Sequence, residues 1–360
     1  MDDLPWLELI PAENGWQAIF ACQVCVQSFA EVQKLRWGFN AAVLLVEALD
    51  RQKLFLESQS HGNPLEDIEP EERALALRAI RLPEAGLLLA LVGKKSAASP
   101  DQARQSARDY CDELVATFPY DYKIHPALTQ KVFEKLTGKD LLRTCQTPPT
   151  MAQILRFETA LRTQNTLAQV NGCWGTSDRS DEQIWRKLGN HPQPAMLNIS
   201  LRSTSLGYEE RQVLWDMQQV YNPSESLSPA HPSQPFDKWA EPLITRRLNP
   251  WKHFYLVQVH ILSPAGVTDS LIRPIASAMT RESPELQSPG FIAHYPANES
   301  SAHIWRQNIE QLVFSPTHLN QSGVSRLSDI ADLNEAHSVF RFPYPPEAGL
   351  PGVKFIDKLE

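Results

Sequence analysis

The spacing of apolar and polar residues in the first part of the chain predicts alternating helices and strands. Residues 16–35 are mostly apolar with polar positions between them, which is typical of a partly buried helix. Two strand pairs are predicted next, over residues 42–49 with 53–58 and over residues 73–82 with 86–92. The first pair is rich in Ala, Leu and Glu, so a helix remains an alternative there.

Two capped helices complete this first region. Ser99 is a suitable N-cap for a helix that runs to about Phe118, and Pro100 falls in the first turn, where its missing N–H costs nothing. A shorter helix is predicted over residues 128–136, with Gly138 as its C-cap. The order of elements predicts an N-terminal α+β domain over residues 1–147, with helices on one face of an antiparallel or mixed sheet.

A second α+β domain is predicted over residues 148–342. Its strands are predicted at 152–161, 166–174, 195–203, 253–262 and 290–295, and its helices at 181–188, 206–221, 268–281 and 300–314. Residues 222–235 hold four prolines and four serines and predict an excursion from this domain. Residues 343–360 begin with closely spaced prolines and predict an extended connector or tail, which gives two to three subdomains.

Composition and charge restrict the classes of function. The formal net charge of −8 gives no overall nucleic-acid signature, so any DNA contact requires a local basic patch. The chain has no signal-like start and no apolar run of membrane-spanning length, and its five cysteines do not suggest a disulfide framework. These features predict a cytoplasmic protein with no membrane association.

The stretch Gly93-Lys94-Lys95-Ser96 superficially resembles a phosphate-binding loop. That motif requires a glycine five residues before the Gly-Lys pair, and Leu88 occupies the position. We therefore interpret the stretch as the end of a strand with solvated lysines. The sequence predicts no cofactor and leaves enzymatic activity of this chain open, with absence of activity favoured.

Two further patterns are compatible with metal chemistry. Cys22 and Cys25 have the spacing of half a zinc site, but without a second pair they favour packing in the core of a helix. Asp121 and Lys123 are an acid and a base of the kind found in nucleases, but they favour a surface loop because no partner acid is evident. The sequence thus predicts no metal site and no catalytic residue.

The best basic and aromatic cluster is Arg246, Arg247, Trp251 and Lys252. In a DNA-binding protein these cations contact phosphates while the indole ring stacks on a base. The alternative is a solvated helix end followed by a core tryptophan. We retain the cluster as a candidate DNA contact.

The segment from Arg326 to Val353 resembles the region just before the motor core of HerA/FtsK-superfamily ATPases, which include conjugative and type IV secretion-like enzymes. That region carries Glu-Ala-x-x-x-Phe-Arg-x-Pro followed by Pro-Gly. The matching residues here are Glu335, Ala336, Phe340, Arg341, Pro343, Pro351 and Gly352. The Walker motifs of the family are absent from this sequence, so the resemblance covers only a region that precedes the motor.

The resemblance implies a non-catalytic accessory module that assembles rings, docks partners or guides DNA, in a mobile-element or antiviral defence locus. The implied partners are an ATPase motor domain or subunit, DNA and further copies of this chain. We expect the tail to lack a complete core within this chain and to dock on the motor through Tyr344, Leu350, Pro351, Gly352, Val353 and Phe355. The alternatives are a stand-alone interaction adaptor without a DNA link and, more distantly, a metal-dependent nuclease.

Overall fold

One large antiparallel sheet forms the centre of the protein. The computed structural model describes residues 4–35, 40–60, 73–162, 167–171, 173–175, 181–221, 244–249, 254–281, 290–315, 326–344 and 349–359. The strands are β1 Glu8–Ala12, β2 Gly15–Val26, β3 Arg73–Leu82, β4 Gly86–Ala97, β5 Tyr122–Pro126, β6 Met151–Arg156, β7 Glu158–Arg162, β8 Leu167–Asn171, β9 Ala195–Thr204, β10 Phe254–Leu262, β11 Phe291–His294 and β12 Ile330–Asp332.

The spatial order of the strands is β1-β2-β4-β3-β9-β10-β6-β11. Strand β5 pairs with β2, and β12 pairs with β10, while β7 and β8 form a separate hairpin. Strand β3, from the predicted first domain, pairs with β9, from the predicted second domain, between Ala74–Arg202 and Arg81–Ala195. The predicted boundary at residue 147 therefore does not coincide with a break in the sheet.

Helices cover both faces of this sheet. They are α1 Phe29–Leu35, α2 Ala41–Ser58, α3 Pro100–Thr117, α4 Gln130–Thr137, α5 Lys139–Thr144, α6 Asp181–Gly189, α7 Tyr208–Tyr221, α8 Asp269–Met279, α9 Glu299–Gln311 and α10 Leu333–Val339, and residues 244–248 are also helical. Apolar residues of α2, α3, α6, α8 and α10 pack on one face, and those of α4, α5 and α9 pack on the other. The α+β class is confirmed, but the helices are not confined to one face.

Two predicted elements in the first region are wrong. Residues 16–26, expected in a helix, form most of β2, which is buried on both faces, with Phe20 on one side and Ile19 on the other. A strand buried on both faces shows a continuous apolar run instead of alternation, so periodicity does not separate it from a buried helix. The predicted hairpin at 42–58 is the single helix α2, which Asn40 caps by accepting a hydrogen bond from the Val43 N–H.

Elements with explicit start and stop signals agree with prediction. The hairpin of β3 and β4 forms as expected. Ser99 caps α3 by accepting from the Gln102 N–H at 3.3 Å. Gly138 ends α4 in the left-handed conformation, with φ of 68°. No helix in the described part of the chain is long and apolar enough to cross a membrane.

Candidate functional site

Five charged residues meet near one end of the sheet, and we call them the ionic cluster. Arg156 ends β6, Arg246 and Arg247 lie in the helical residues before β10, and Asp332 and Glu335 lie at the junction of β12 and α10. Glu335 is the glutamate of the HerA/FtsK-like motif. The contacts of the ionic cluster therefore show what this motif residue does in the fold.

The start of α10 fixes the position of the Glu335 carboxylate. Asp332 is the N-cap, and its Oδ1 accepts hydrogen bonds from the N–H groups of Asn334 and Glu335 at 2.9 and 3.0 Å. Glu335 Oε2 accepts from the Asp332 N–H at 3.2 Å in return. This reciprocal capping box satisfies backbone donors that a helix start otherwise leaves unpaired.

Two buried arginines contact this carboxylate. Arg156 Nη1 donates to Glu335 Oε1 at 3.0 Å, and Arg247 Nη2 lies 3.7 Å from Glu335 Oε2. Both arginines also donate to the Ile330 carbonyl oxygen, at 2.9 and 3.0 Å. The cluster thus joins β6, the helical residues 244–248, β12 and α10 through shared acceptors.

The electrostatics of the cluster favour a structural role. Burial alone raises the pKa of Glu335, but the charges of Arg156 and Arg247 and the bond from the Asp332 backbone bring that pKa below its ordinary value. Burial lowers the pKa of Arg247, and Glu335 opposes that change. A carboxylate held ionised between two guanidinium groups is a poor proton donor or acceptor, so the cluster holds the fold together and shows no acid–base pair.

The predicted exposure of the basic cluster is only partly found. Arg247 is buried and directed at Glu335. The expectation that Arg247 lies on an exposed face is therefore wrong. Arg246 is 40% exposed, but its Nε lies 3.0 Å from Asp332 Oδ2. Trp251 and Lys252 lie outside the described residues, and DNA contact by this region stays a prediction.

The C-terminal tail does have partners within this chain, contrary to expectation. Tyr344 is buried against Phe29, Leu44 and Ala48. Leu350 is also buried, and two half-buried side chains, those of Val353 and Phe355, pack on the same core. Pro351 and Gly352 are exposed, and the Pro351 carbonyl oxygen accepts from Asn190 at 3.4 Å. The expectation that these apolar groups lack a core in this chain is wrong.

Backbone pairing extends the sheet onto the tail. The Leu87 N–H donates to the Lys354 carbonyl at 2.8 Å, and the Ile356 N–H donates to the Leu87 carbonyl at 3.0 Å. Strand β2 pairs with β4 only as far as the Val24–Leu89 pair, so the tail occupies the position beside the start of β4. Gly86 is required at this close approach, because a Cβ there would lie 2.3 Å from the Lys354 oxygen.

Gln23 holds the tail on the opposite side. Its Nε2 donates to the carbonyls of Ile356 and Asp357 at 3.2 and 2.9 Å, and its Oε1 accepts from the Leu359 N–H at 2.8 Å. The side chain is buried. One amide therefore satisfies three backbone groups of the tail, a use of glutamine that the sequence alone does not signal.

The motif residues that precede the tail are buried, together with their neighbour Phe342. Phe340 and Phe342 are fully buried in an aromatic group with Phe55, Phe118 and Tyr122. The Phe342 N–H donates to Gln52 Oε1 at 3.0 Å, so the proline-rich stretch begins from a fixed point on α2. Glu335, Ala336, Phe340 and Arg341 of the motif thus all lie inside the fold.

Other candidate residues also have structural roles. Lys94 and Lys95 are buried inside β4, so the interpretation as solvated lysines is wrong. Asp121 is buried and accepts from Arg51 Nε and Nη2, both at 2.7 Å, so it belongs to an ion pair. Lys123 is exposed and lies 3.8 Å from Glu31.

The cysteine pattern behaves as core packing, but on a strand. Cys22 is fully buried on β2, and Cys25 is half-buried further along the same strand. Within the described ranges, no group of three or more His, Cys, Asp or Glu side chains is arranged to hold a metal ion.

The sequence interpretation missed Arg78. It lies fully buried in β3, where Nε donates to Asn198 Oδ1 at 3.0 Å and Nη1 to the Thr137 carbonyl at 2.5 Å. Nη2 donates to the Ile309 carbonyl, so one guanidinium contacts the C-terminal ends of both α4 and α9. Burial lowers its pKa to about 10, which still leaves it charged near neutral pH. The available signal was an arginine in the middle of a mostly apolar strand, whose other two arginines, Arg73 and Arg81, lie near its ends.

The comparisons with known proteins add no relative. No protein-family model matches the sequence, and no curated protein matches it.

Proposed function

We propose that this chain is a cytoplasmic, non-catalytic accessory module of a DNA-translocating ATPase system of the HerA/FtsK type. The observation that carries the proposal is the motif from Glu335 to Gly352, whose residues match the segment preceding the motor in that family. The burial of Tyr344 and Leu350 in this chain's own core takes them away from docking on a motor, so the proposal rests on the motif match alone. Its roles are ring assembly, partner docking and DNA guidance, in a mobile-element or defence locus.

The test of this proposal is the identity and response of a motor. The coding region around this chain should encode a protein with Walker motifs, in the same polypeptide or in a neighbouring frame. Purified together, the two should co-elute, and DNA-stimulated ATP hydrolysis by the motor should change when this chain is added. A neighbourhood without a Walker ATPase, or a motor that neither binds this chain nor responds to it, contradicts the proposal.

DNA guidance needs a separate test. We expect weak, sequence-independent binding to duplex DNA that decreases steeply with salt, measured by fluorescence anisotropy. Arg246→Gln and Lys252→Gln, which remove each cation without placing a new carboxylate beside Asp332, should each reduce the salt slope by about one phosphate equivalent. The matched control is Arg273→Gln on the exposed surface of α8, which should leave the slope unchanged. Equal effects of all three variants would remove DNA contact by this region from the proposal.

One observation favours the adaptor alternative. Val43, Val46 and Leu54 are exposed on α2, with 38, 54 and 62% of their surface accessible. Exposed apolar residues on one helix often indicate a protein interaction surface. An adaptor without a DNA link predicts no anisotropy change at any salt concentration, and loss of its partner when Val46 and Leu54 are changed to Ser. The motor proposal predicts that the same double variant still associates with the ATPase.

A further inference from the structure

Two cysteine sulfurs are in contact inside the core. Cys22 Sγ, on β2, lies 3.6 Å from Cys111 Sγ, on α3, and both side chains are fully buried. They lie beside the edge-to-face contact of Phe20 with Tyr110, whose ring centroids are 5.4 Å apart. The two thiols therefore face each other across the layer between the sheet and α3.

The geometry requires only a small movement to join them. A disulfide bond is about 2.0 Å long, so the sulfurs must approach by roughly 1.6 Å. Closing this distance requires a rotation about χ1 of either cysteine or a shift of α3. The neighbouring small residues Ala103 and Ala107 of α3 are in the same core, and they leave the helix close to the sheet.

We propose that Cys22 and Cys111 are a reversible disulfide site, formed under oxidation by a peroxide, which fixes β2 against α3. This inference is independent of the proposed function. It assigns a covalent modification to Cys22, which the sequence analysis treated only as core packing, and to Cys111, which it did not single out.

The reaction balances with hydrogen peroxide as the oxidant. One thiol loses its proton, the resulting thiolate sulfur attacks a peroxide oxygen, the O–O bond breaks, and the departing hydroxide takes up that proton, so a sulfenic acid and one water result. The second sulfur then attacks the sulfenic sulfur, and the displaced hydroxide takes up the remaining thiol proton as the second water. The two sulfurs together lose two electrons, and the peroxide gains them. Thiols or dithiothreitol reverse the step by exchange.

Burial of the two thiols makes the reaction slow. The hydrogen bond to Cys111 and burial both raise the pKa of the Cys22 thiol well above its ordinary value, so its thiolate is scarce near neutral pH. The reaction should therefore accelerate as pH rises. Cys25 is more exposed and should react with peroxide sooner, but it occupies the opposite side of β2 from Cys22 by strand alternation.

The cross-link has a consequence for the tail. Gln23 follows Cys22 directly in β2 and makes the three hydrogen bonds that hold Ile356, Asp357 and Leu359. A disulfide restrains β2 beside this contact. Oxidation should consequently slow amide hydrogen exchange of the tail as well as of α3.

The experiment treats the full chain with hydrogen peroxide, blocks the remaining thiols after denaturation and maps disulfide-linked peptides by mass spectrometry. We expect a Cys22–Cys111 link, a thermal midpoint raised by about 5 °C and reversal of both by dithiothreitol. Cys25→Ala is the matched control and should retain the link and the shift. Cys111→Ala should lose both.

Three outcomes would overturn the inference. The first is that Cys22 and Cys111 are recovered as free thiols while Cys25 has been oxidised. The second is that the link forms only when the chain is treated in urea, which would mean that the native geometry does not support it. The third is a native link that lowers the thermal midpoint, which would show that it does not fix β2 against α3 without strain.

Discussion

The two halves of the motif segment are held to the same fold by different physical means. Around α10, buried charges meet: Glu335 contacts Arg156 and Arg247. In the tail, the contacts are apolar side chains and backbone hydrogen bonds, most of them to Leu87 and Gln23. Both halves belong to this chain's core, although the sequence suggested that only the first did.

The difference teaches how each half should fail. Removing one partner of a buried ion pair leaves the other charge without compensation, which is strongly destabilising. Removing an apolar contact loses only its own burial and packing. A single substitution in the first half should therefore lower the free energy of unfolding strongly. In the second half, the loss of free energy should grow with the amount of tail removed.

The largest effect is expected for Glu335→Gln. The change removes the negative charge between Arg156 and Arg247, and we expect it to lower the free energy of unfolding by about 3–5 kcal/mol. Denaturant unfolding followed by circular dichroism measures it. Asp269→Asn, in an exposed ion pair with Arg273, is the control and should change stability by less than about 0.5 kcal/mol. A loss as small for Glu335→Gln would mean that the cluster is not a closed ionic contact.

Deletion of residues 349–360 should have the next largest effect. Leu350 is buried, and the half-buried side chains of Val353, Phe355, Ile356 and Leu359 pack on both faces of the sheet. We expect the free energy of unfolding to decrease by about 2–4 kcal/mol, because fully burying one such side chain contributes roughly 1.5–3 kcal/mol and the conformational entropy lost on ordering the tail offsets much of the sum. Differential scanning calorimetry of the two proteins tests it. An unchanged midpoint would restore the expectation of a tail that docks elsewhere.

Sequence reasoning succeeded where local chemistry determines structure. Ser99 and Gly138 mark helix ends by their own conformational preferences, so α3 and α4 were predictable. It failed for β2 because burial on both faces removes the period on which strand recognition depends. The partners of the tail were not predictable for another reason. Gln23 and Leu359 are separated by 336 residues, and their contact depends on the whole sheet order.

The same limit applies to the candidate site. A motif comparison selects Glu335, but it does not reveal whether the residue contacts a partner protein or its own fold. That distinction depends on Arg156, which lies 179 positions away in the chain. Arg247 shows the same limit. Two adjacent basic residues in the sequence suggest a solvated surface, but the fold buries Arg247.

A smaller effect is expected for Gln23→Ala. The variant loses three hydrogen bonds to the tail, and we expect a decrease of about 1–2 kcal/mol, because replacing Gln23 leaves backbone groups that water can partly satisfy. Hydrogen exchange should show faster exchange of the tail amides with little change at α10. Gln105→Ala on the exposed side of α3 is the control. Exchange that accelerates equally at α10 and the tail would mean that the two halves unfold as one unit.

The smallest effect concerns acid, and it distinguishes the halves because His337 lies in α10. Burial, with the nearby charges of Arg341 and Lys53, lowers the pKa of His337 to about 3, although a bond to the Leu49 backbone opposes this. The folded protein therefore binds fewer protons than the unfolded chain below about pH 6.5, the ordinary histidine value. The contribution of His337 to the free energy of unfolding is complete above that pH and is lost as pH falls towards 3. Burial also lowers the pKa of His260 to about 4, so it adds to the same trend.

We therefore expect His337→Gln to flatten the decrease of unfolding free energy between pH 6 and pH 5 by roughly 1 kcal/mol per pH unit. Denaturant titrations at both pH values measure this slope, which is independent of any loss of stability that the substitution causes at neutral pH. Leu350→Ala is the control, because it weakens the tail without removing a titrating group and should retain the wild-type slope. If both variants show the wild-type slope, His337 is protonated without cost and is more accessible to water than its position against α2 implies.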